Sequence, residues 1–147
     1  MSYTEVSHYT TIPTDKTNEE LKELVTQKLN SLANLILTKN EDELVKLEMG
    51  DELLDTFEEC DEEEVISGLQ ELLKVVGSNI NLSANSEEGY SQCFFPLTTV
   101  FSSLMNKEFV FSHTYCYDSR DGMSGDIAII NKEGVFTSLN EDDITLK

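Results

Sequence analysis

The sequence contains no tryptophan and has only two histidines and two prolines. It also lacks the motifs by which many enzymes are identified. It has no glycine-rich phosphate loop, no GxSxG sequence around a serine and no CxxC pair that would indicate zinc. Its three cysteines, Cys60, Cys93 and Cys116, are odd in number and widely spaced, unlike a disulfide framework. We therefore predict a non-enzymatic protein with no catalytic residues, no metal site and no cofactor, and its reduced thiols favour the cytoplasm.

Long apolar runs and basic residues are also scarce. No apolar run approaches the roughly 20 residues of a membrane-spanning helix, and the N-terminus lacks the basic and apolar regions of a signal peptide. Ten lysines and arginines stand against 29 acidic residues, which gives a formal net charge of −19. Such a field repels phosphate backbones and anionic lipid headgroups, so direct binding to nucleic acid or to a membrane is not expected.

The acidic residues are concentrated in residues 41–64, which hold thirteen of the 29 acids and a single base, Lys46. Several of them recur at spacings of three and four, which would align them on one face of a helix, with Met49, Leu54 or Phe57 as an apolar anchor. This pattern predicts a docking surface for a basic protein partner. A solvated surface that only keeps the protein soluble would explain the same composition. The predicted partner-binding residues are Asp51, Glu52, Asp55, Glu58, Glu59, Asp61 and Glu62.

The length of 147 residues predicts one domain with a substantial core. Its hydrophobic pattern changes from the helical period in residues 17–76 to a period of two in the β-rich residues 90–139. The predicted fold is therefore α+β, with N-terminal helices packed on a C-terminal antiparallel β-meander.

Four segments of the first half have helical signals. Thr17 and Glu20 form a capping-box pattern before an apolar stripe that extends to about Leu37. Asn40 and Glu43 repeat the cap pattern before a short helix with three inward residues. The inward residues of this short helix are Leu44, Val45 and Leu47, and Gly50 is predicted to be left-handed. One or two further helical turns are predicted at 51–59. Asp61 and Glu64 are predicted to cap a last helix, which Gly77 ends.

The strands are predicted from alternation and from turn residues. Residues 1–16 could form an edge strand or an ordered arm, since Pro13 prevents further pairing there. The best strand starts after Glu108, with Phe109, Phe111, His113, Tyr115 and Tyr117 on one face. The other predictions are a loop at 77–92 with a short strand at 80–82, a short helix at 97–105, a turn at 118–125, strands at 126–130 and 135–139, and a polar tail at 140–147.

Two constellations invite a chemical interpretation. His113 and Cys116 suggest thiol catalysis, but three residues apart on a strand they point to opposite faces. His8 could still meet Cys60 or Cys93 in three dimensions. Acidic residues near Gly122 resemble a calcium loop, yet their spacing is wrong and a basic residue lies inside it. A hairpin turn explains this second group equally well, and its residues are Asp118, Arg120, Asp121 and Asp126.

In size, charge and layout, with the acidic run at 41–64 beside a predicted meander at 109–139, the chain resembles small acidic immunity proteins of bacterial toxin systems, including the contact-dependent growth inhibition type. The resemblance implies a stoichiometric inhibitor that occludes the site of a basic nuclease, and it transfers no site residues. A phage-encoded inhibitor of a host nucleic-acid enzyme would work by the same mimicry. A small enzyme or ligand-binding domain could instead use the aromatic strand face, and the sequence leaves the oligomeric state open.

Overall fold

The computed structural model describes residues 4–86, 89–118 and 122–139. The strands are β1 (Thr4–Pro13), β2 (Leu73–Val76), β3 (Asn79–Asn85), β4 (Phe109–Asp118), β5 (Gly122–Asn131) and β6 (Phe136–Ser138). The helices are α1 (Asn18–Leu37), α2 (Glu41–Leu44), α3 (Glu52–Thr56), α4 (Glu62–Gln70) and α5 (Phe94–Ser102), and a single 3-10 turn at Ser91–Cys93 leads into α5.

The six strands form one sheet in the order β2-β3-β1-β4-β5-β6, and every neighbouring pair is antiparallel. One hydrophobic cluster joins the helices to one face of this sheet. The α+β class is confirmed, but β1, β2 and β3 come from the first 85 residues of the chain. The predicted meander, β4-β5-β6, is therefore only half of the sheet on which the helices pack.

The helix starts predicted from capping patterns are observed. The Thr17 hydroxyl oxygen accepts a hydrogen bond from the backbone N–H of Glu20 at 3.2 Å, and α1 extends to Leu37 as expected. At α4 the capping box is complete, because Asp61 accepts from the Glu64 N–H at 2.9 Å and Glu64 accepts from the Asp61 N–H at 3.2 Å. No described helix has the length and hydrophobicity needed to cross a membrane.

Strand β1 is central, so its prediction as an edge strand or arm was wrong. It pairs with β3 on one side and β4 on the other, and Pro13 stands at its last position. Its core-facing side chains include the polar His8 and Thr10, so the alternation of apolar and polar residues that identifies a buried strand is interrupted in β1. Both are satisfied across the sheet: His8 Nδ1 lies 2.9 Å from Thr114 Oγ1, and the Thr10 hydroxyl donates to the Phe111 carbonyl at 2.8 Å.

Helix α4 is shorter than predicted. It ends at Gln70, and the continuation of its apolar stripe forms the edge strand β2. Gly77 lies in the turn between β2 and β3 with a φ of 61°, and it does not end a helix. The β-branched residues Val75 and Val76 favour a strand, and pairing with β3 decides the outcome.

The connection around Gly50 also differs from the prediction. Met49, with a φ of 55°, adopts the left-handed conformation that was predicted for Gly50. Glycine is needed at position 50 for another reason, since an added Cβ would lie 1.8 Å from the Leu44 carbonyl oxygen. Leu44 is buried as predicted, whereas Val45 is 63% exposed and does not face the core.

In the second half, the helix begins at Phe94, three residues earlier than predicted, and includes Pro96 in its first turn. The three C-terminal strands are confirmed as an antiparallel meander, although β5 begins earlier and β6 is shorter than expected. The loop predicted at 77–92 contains the seven-residue strand β3. Residues 119–121 of the predicted turn and the tail at 140–147 lie outside the described residues.

The fold therefore presents two contrasting surfaces. Short helices α2 and α3 and the start of α4 carry the acidic run of the sequence. On the other side of the sheet, which no described helix covers, alternate side chains of β1 and β4 project outward with their aromatic rings partly exposed. We call this second surface the open face, and its exposed rings are Tyr9, Phe109, Phe111 and Tyr115.

Candidate protein-binding site

A groove lies where the end of α1, the start of α2, helix α3 and the loop before α4 meet. Its volume is about 440 Å³. The floor is apolar and the rim is charged, a combination that can bury a partner's side chain and also attract it electrostatically. We call it the acidic groove; its floor consists of Ile36, Leu37, Leu54, Phe57 and Cys60, and its rim of Lys39, Glu41, Asp55, Glu58 and Glu59.

Buried side chains hold the groove walls in place. Leu53 is fully buried on α3, and Phe57, which follows this helix, stacks on Tyr90 with ring centroids 5.6 Å apart. Gly68 of α4 permits this packing, because an added Cβ would lie 2.7 Å from the Phe57 ring. The acidic residues that follow Phe57 are therefore displayed from a segment anchored in the core.

Two rim residues have an unusual backbone conformation. Among the described residues, three non-glycine residues have a positive φ, and two of them, Lys39 at 53° and Glu59 at 64°, belong to the rim. The left-handed conformation disfavours a residue with a Cβ by roughly 1–2 kcal/mol. At Lys39 this conformation ends α1, where the Asn40 N–H donates to the Leu35 carbonyl at 3.0 Å. Lys39 and Glu59 are both exposed, so their side chains are available to a partner.

The rim has four carboxylates and one lysine, and three of these carboxylates have no internal partner among the described residues to balance their charge. Within residues 4–86, 89–118 and 122–139, no hydrogen bond or ion pair engages the side chains of Asp55, Glu58 or Glu59. The ion pair between Lys46 and Glu43, at 3.0 Å, lies outside the groove. Exposed like charges repel one another, and a cationic partner would relieve that repulsion.

The groove also contains a thiol that responds to the nearby charges. Cys60 is partly buried on the groove floor. Burial raises the pKa of this thiol, and the carboxylates of Glu64 and Asp61 raise the pKa further. The thiol is therefore mainly protonated at neutral pH, which makes Cys60 a poor nucleophile and a sensitive reporter of local charge.

The predicted partner-binding residues are only partly brought together. Asp55, Glu58 and Glu59 line the groove. Asp61 is engaged in the capping box of α4, so its carboxylate has a structural role. Three others do not line the groove: Asp51 and Glu62 are exposed, and Glu52 is partly buried.

Sequence reasoning missed two charged groove residues, Lys39 and Glu41, which precede the predicted cluster. Lys39 comes from the connection between α1 and α2, and Glu41 is the first residue of α2; both reach the groove only through the tertiary fold. The available signal was the end of the apolar stripe at Leu37, because a helix commonly ends in a left-handed residue shortly beyond that point.

The geometry gives no support to the thiol chemistry that His113 and Cys116 suggest. His113 lies on the open face and Cys116 on the opposite side of β4, as their spacing predicts. His8 is engaged with Thr114 and stacks on Phe94 with a centroid separation of 5.2 Å. Burial raises the pKa of the Cys93 thiol to about 11, so this thiol is protonated at neutral pH.

The calcium loop considered as an alternative to a hairpin turn has no cluster among the described residues. Asp121 lies outside the described residues, and Asp126 lies within strand β5, opposite Thr114. Across the described parts of the chain, no group of three or more histidine, cysteine, aspartate or glutamate side chains is arranged to hold a metal ion.

The aromatic residues that define the ligand-binding alternative line shallow hollows on the open face. One hollow, of about 510 Å³, is lined by Glu5, Ser7, Tyr9, Tyr115 and Tyr117. Another, of about 440 Å³, includes Phe111 and His113. Both are open on the solvent side of a sheet, whereas small-molecule sites usually enclose most of their ligand.

Comparisons with protein-family models, with curated proteins and with solved structures find no match to this chain.

Proposed function

We propose that this protein is a non-enzymatic inhibitor that binds a basic protein partner through the acidic groove. The supporting observation is the combination of an apolar floor with rim carboxylates that have no internal partner. An arginine or lysine side chain has an apolar stem and a charged head, so it can contact both parts of the groove at once. A groove of about 440 Å³ accommodates one or two such side chains.

The partner we propose is a nuclease toxin, with this protein acting as its immunity protein. A nuclease binds the phosphates of its substrate with lysine and arginine side chains. The rim carboxylates, Asp55, Glu58 and Glu59, would take the place of those phosphates and block the substrate. Close charge pairs at a protein interface have measured coupling energies of roughly 1.5–7 kcal/mol, enough for stoichiometric inhibition when several are formed.

The formal charge of −19 contributes to the rate of encounter rather than to the fit of the groove. Long-range attraction can raise association rate constants by about 10- to 1,000-fold at low ionic strength, and salt removes this advantage. A host nucleic-acid enzyme inhibited by a phage-encoded protein would be recognised in the same way. The two proposals differ only in the partner's identity.

The test combines capture of the partner with two charge-matched variants. The partner would be captured from the native source on immobilised protein, identified, and then assayed for nuclease activity with and without the inhibitor. The groove variant carries Asp55→Lys, Glu58→Lys and Glu59→Lys. The control variant carries Glu23→Lys, Glu71→Lys and Glu133→Lys, exposed acids outside the groove that give the same change in net charge.

We expect the groove variant to lose inhibition by at least about 100-fold, because each lost charge pair weakens binding and each lysine repels the partner. The control variant should mainly slow association and retain most of the affinity. Equal loss in both variants would mean that total charge, and not the groove, carries the binding. A captured partner with no excess of basic residues at its interface would refute the proposal itself.

A further inference from the structure

The open face presents a continuous row of aromatic side chains to solvent. The exposed fractions are 46% for Tyr9, 43% for Phe109, 50% for Phe111 and 45% for Tyr115. Their rings contact one another, with centroids 5.9 Å apart for Tyr9 and Tyr115 and 5.7 Å apart for Phe109 and Phe111. Contiguous exposed apolar patches on a folded monomer commonly mark interaction sites, so this row of rings points to a partner surface.

The size of the open face matches that of a stable protein interface. Strands β1, β4 and β5 have ten residues each, and β2, β3 and β6 have four, seven and three. With a rise of about 3.3 Å per residue and a strand spacing of about 4.8 Å, one face of these strands covers about 700 Å². This area is close to the roughly 800 Å² that each partner buries in an interface of standard size.

The charge of the open face argues against the basic partner proposed for the groove. Strand alternation and register assign two charged residues to this face among the described strands, Glu5 and Lys74, and their formal charges cancel. A cationic protein is attracted to the helix layer, where residues 41–64 hold thirteen acids and one base. The occupant of the open face must therefore be recognised by apolar contact and shape.

A second copy of the chain meets this requirement. The open face has both projecting rings and hollows between them, so it can be complementary to itself across a two-fold axis. Stacked sheets lie about 10 Å apart and a helix is about 10 Å across, which keeps the acidic helix layers of two copies more than about 20 Å apart. At physiological salt the Debye length is about 8 Å, so their repulsion is largely screened.

We propose that the open face is the interface of a symmetric homodimer in which two sheets stack face to face. Tyr9, Phe111 and Tyr115 lie at its centre, on the neighbouring strands β1 and β4. Both acidic grooves face away from this interface, so a dimer would present two grooves to basic partners. The proposal is independent of the function proposed for the groove.

Sedimentation of the full chain between about 1 and 200 µM, a range that covers weak and moderate dimers, tests this proposal. Wild type should shift from monomer to dimer across that range. Phe111→Lys should weaken self-association by about 30-fold or more, since it places an unpaired charge at the centre of an apolar interface. Tyr115→Lys serves as a second interface variant. Val45→Lys is the control: it adds the same positive charge at a 63% exposed position of the helix layer, and it should leave the dimer intact.

Salt gives a readout with opposite signs for the two surfaces. Raising sodium chloride from about 50 to 500 mM should strengthen the dimer, because screening reduces repulsion between two chains of charge −19. The same change should weaken binding of a basic partner at the groove. Wild type that stays monomeric at 200 µM, a dimer that Val45→Lys disrupts as much as Phe111→Lys, or a dimer that salt weakens would each overturn the proposal.

Discussion

The acidic groove and the open face lie on different sides of the sheet and differ in the kind of recognition they allow. The groove has charged side chains around a small apolar floor, displayed by short helices and their connections. The open face has aromatic rings across neighbouring strands and a formal charge of zero from Glu5 and Lys74. Segregating the charge in this way lets one surface attract a cationic protein while the other remains suited to apolar contact.

Strand β1 shows how neighbouring residues serve the two sides. Successive side chains of a strand point to opposite faces, so His8 is buried under α5 whereas Tyr9 is exposed on the open face. The same alternation in β4 buries Ser112 and exposes Phe111. The sheet thus separates a core face that stabilises the fold from an outer face that contributes little to it in the monomer.

The largest predicted effect contrasts the core with the open face. Leu69 of α4 is fully buried, so Leu69→Ala should lower the free energy of unfolding by roughly 2–5 kcal/mol. Phe111→Ala removes more atoms but from a half-exposed ring that contacts Phe109, and at about 1 µM protein it should lower stability by only about 1 kcal/mol. Urea unfolding monitored by circular dichroism measures both. Similar losses in the two variants would show that the open face is covered in the monomer.

Local signals in the sequence predicted the parts of this fold that local interactions determine. The helix starts at Thr17 and Asp61 depend on residues three positions away, and both were predicted correctly. The place of β1 in the sheet was not predictable in this way. The polar core residues of β1, His8 and Thr10, are satisfied by Thr114 and Phe111, more than 100 positions later.

The same distinction applies to helix α4 and to the groove. The apolar residues after Gln70 fit both a helical stripe and a strand, and pairing with β3 selects the strand. In the groove, Asp55, Glu58 and Glu59 were predicted because they are close in sequence. Lys39 was missed because a connection between two helices carries it to the rim. A charge pattern identifies candidate residues, whereas a site also requires the tertiary neighbours.

The second predicted effect concerns the core face of β1 and its dependence on pH. Burial lowers the pKa of His8 below its usual value of 6.5. The unfolded chain therefore binds a proton near pH 6.5 that the folded chain binds only at lower pH, so stability decreases as the pH falls through this window. One proton gives a slope of at most about 1.4 kcal/mol per pH unit.

The measurement is the free energy of unfolding from pH 7.5 to pH 5 for wild type and for His8→Gln. Glutamine does not titrate and can still form a hydrogen bond with Thr114. The difference between the two stability curves isolates the contribution of His8 from that of the carboxylates. Parallel curves would contradict the prediction, because they would mean that His8 binds its proton equally well in the folded and unfolded states.

A smaller effect distinguishes the contribution of Glu59 to binding from its contribution to the stability of the fold. Glu59 is in the left-handed conformation with a φ of 64°, which glycine adopts without a steric penalty. Glu59→Gly should therefore stabilise the fold by about 0.5–1 kcal/mol, after allowance for the greater freedom of glycine in the unfolded chain. At the same time it removes a rim carboxylate and should weaken binding of the basic partner that we propose for the groove.

The matched control is Glu58→Gly at the neighbouring rim position, whose φ is not positive. This variant also loses one carboxylate, but it should destabilise the fold by about 0.4–1 kcal/mol because glycine has more conformations to lose. Thermal unfolding and partner affinity measured together on both variants complete the test. If Glu59→Gly is less stable than wild type, its side chain makes a stabilising contact and the conformation is not maintained for binding.

The smallest predicted effect uses Cys60 to measure the charge of the groove directly. The pKa of its thiol is raised by burial and by the carboxylates of Glu64 and Asp61, so removing one of these charges should increase the thiolate fraction. Glu64→Gln retains the capping-box geometry, since glutamine can take the same role at this position. We expect Cys60 to react with an alkylating reagent about twofold faster at pH 8 in this variant.

Added salt should produce a similar increase in wild type by screening the same carboxylates. Cys93, whose pKa is raised to about 11 by burial, provides the internal reference, because its reaction in the folded state should be slow in every condition. Peptide mapping by mass spectrometry assigns each labelled thiol. If the Cys60 rate is the same in wild type, in Glu64→Gln and at high salt, the carboxylates around the groove do not act on its floor, and the electrostatic part of the comparison between the two surfaces is wrong.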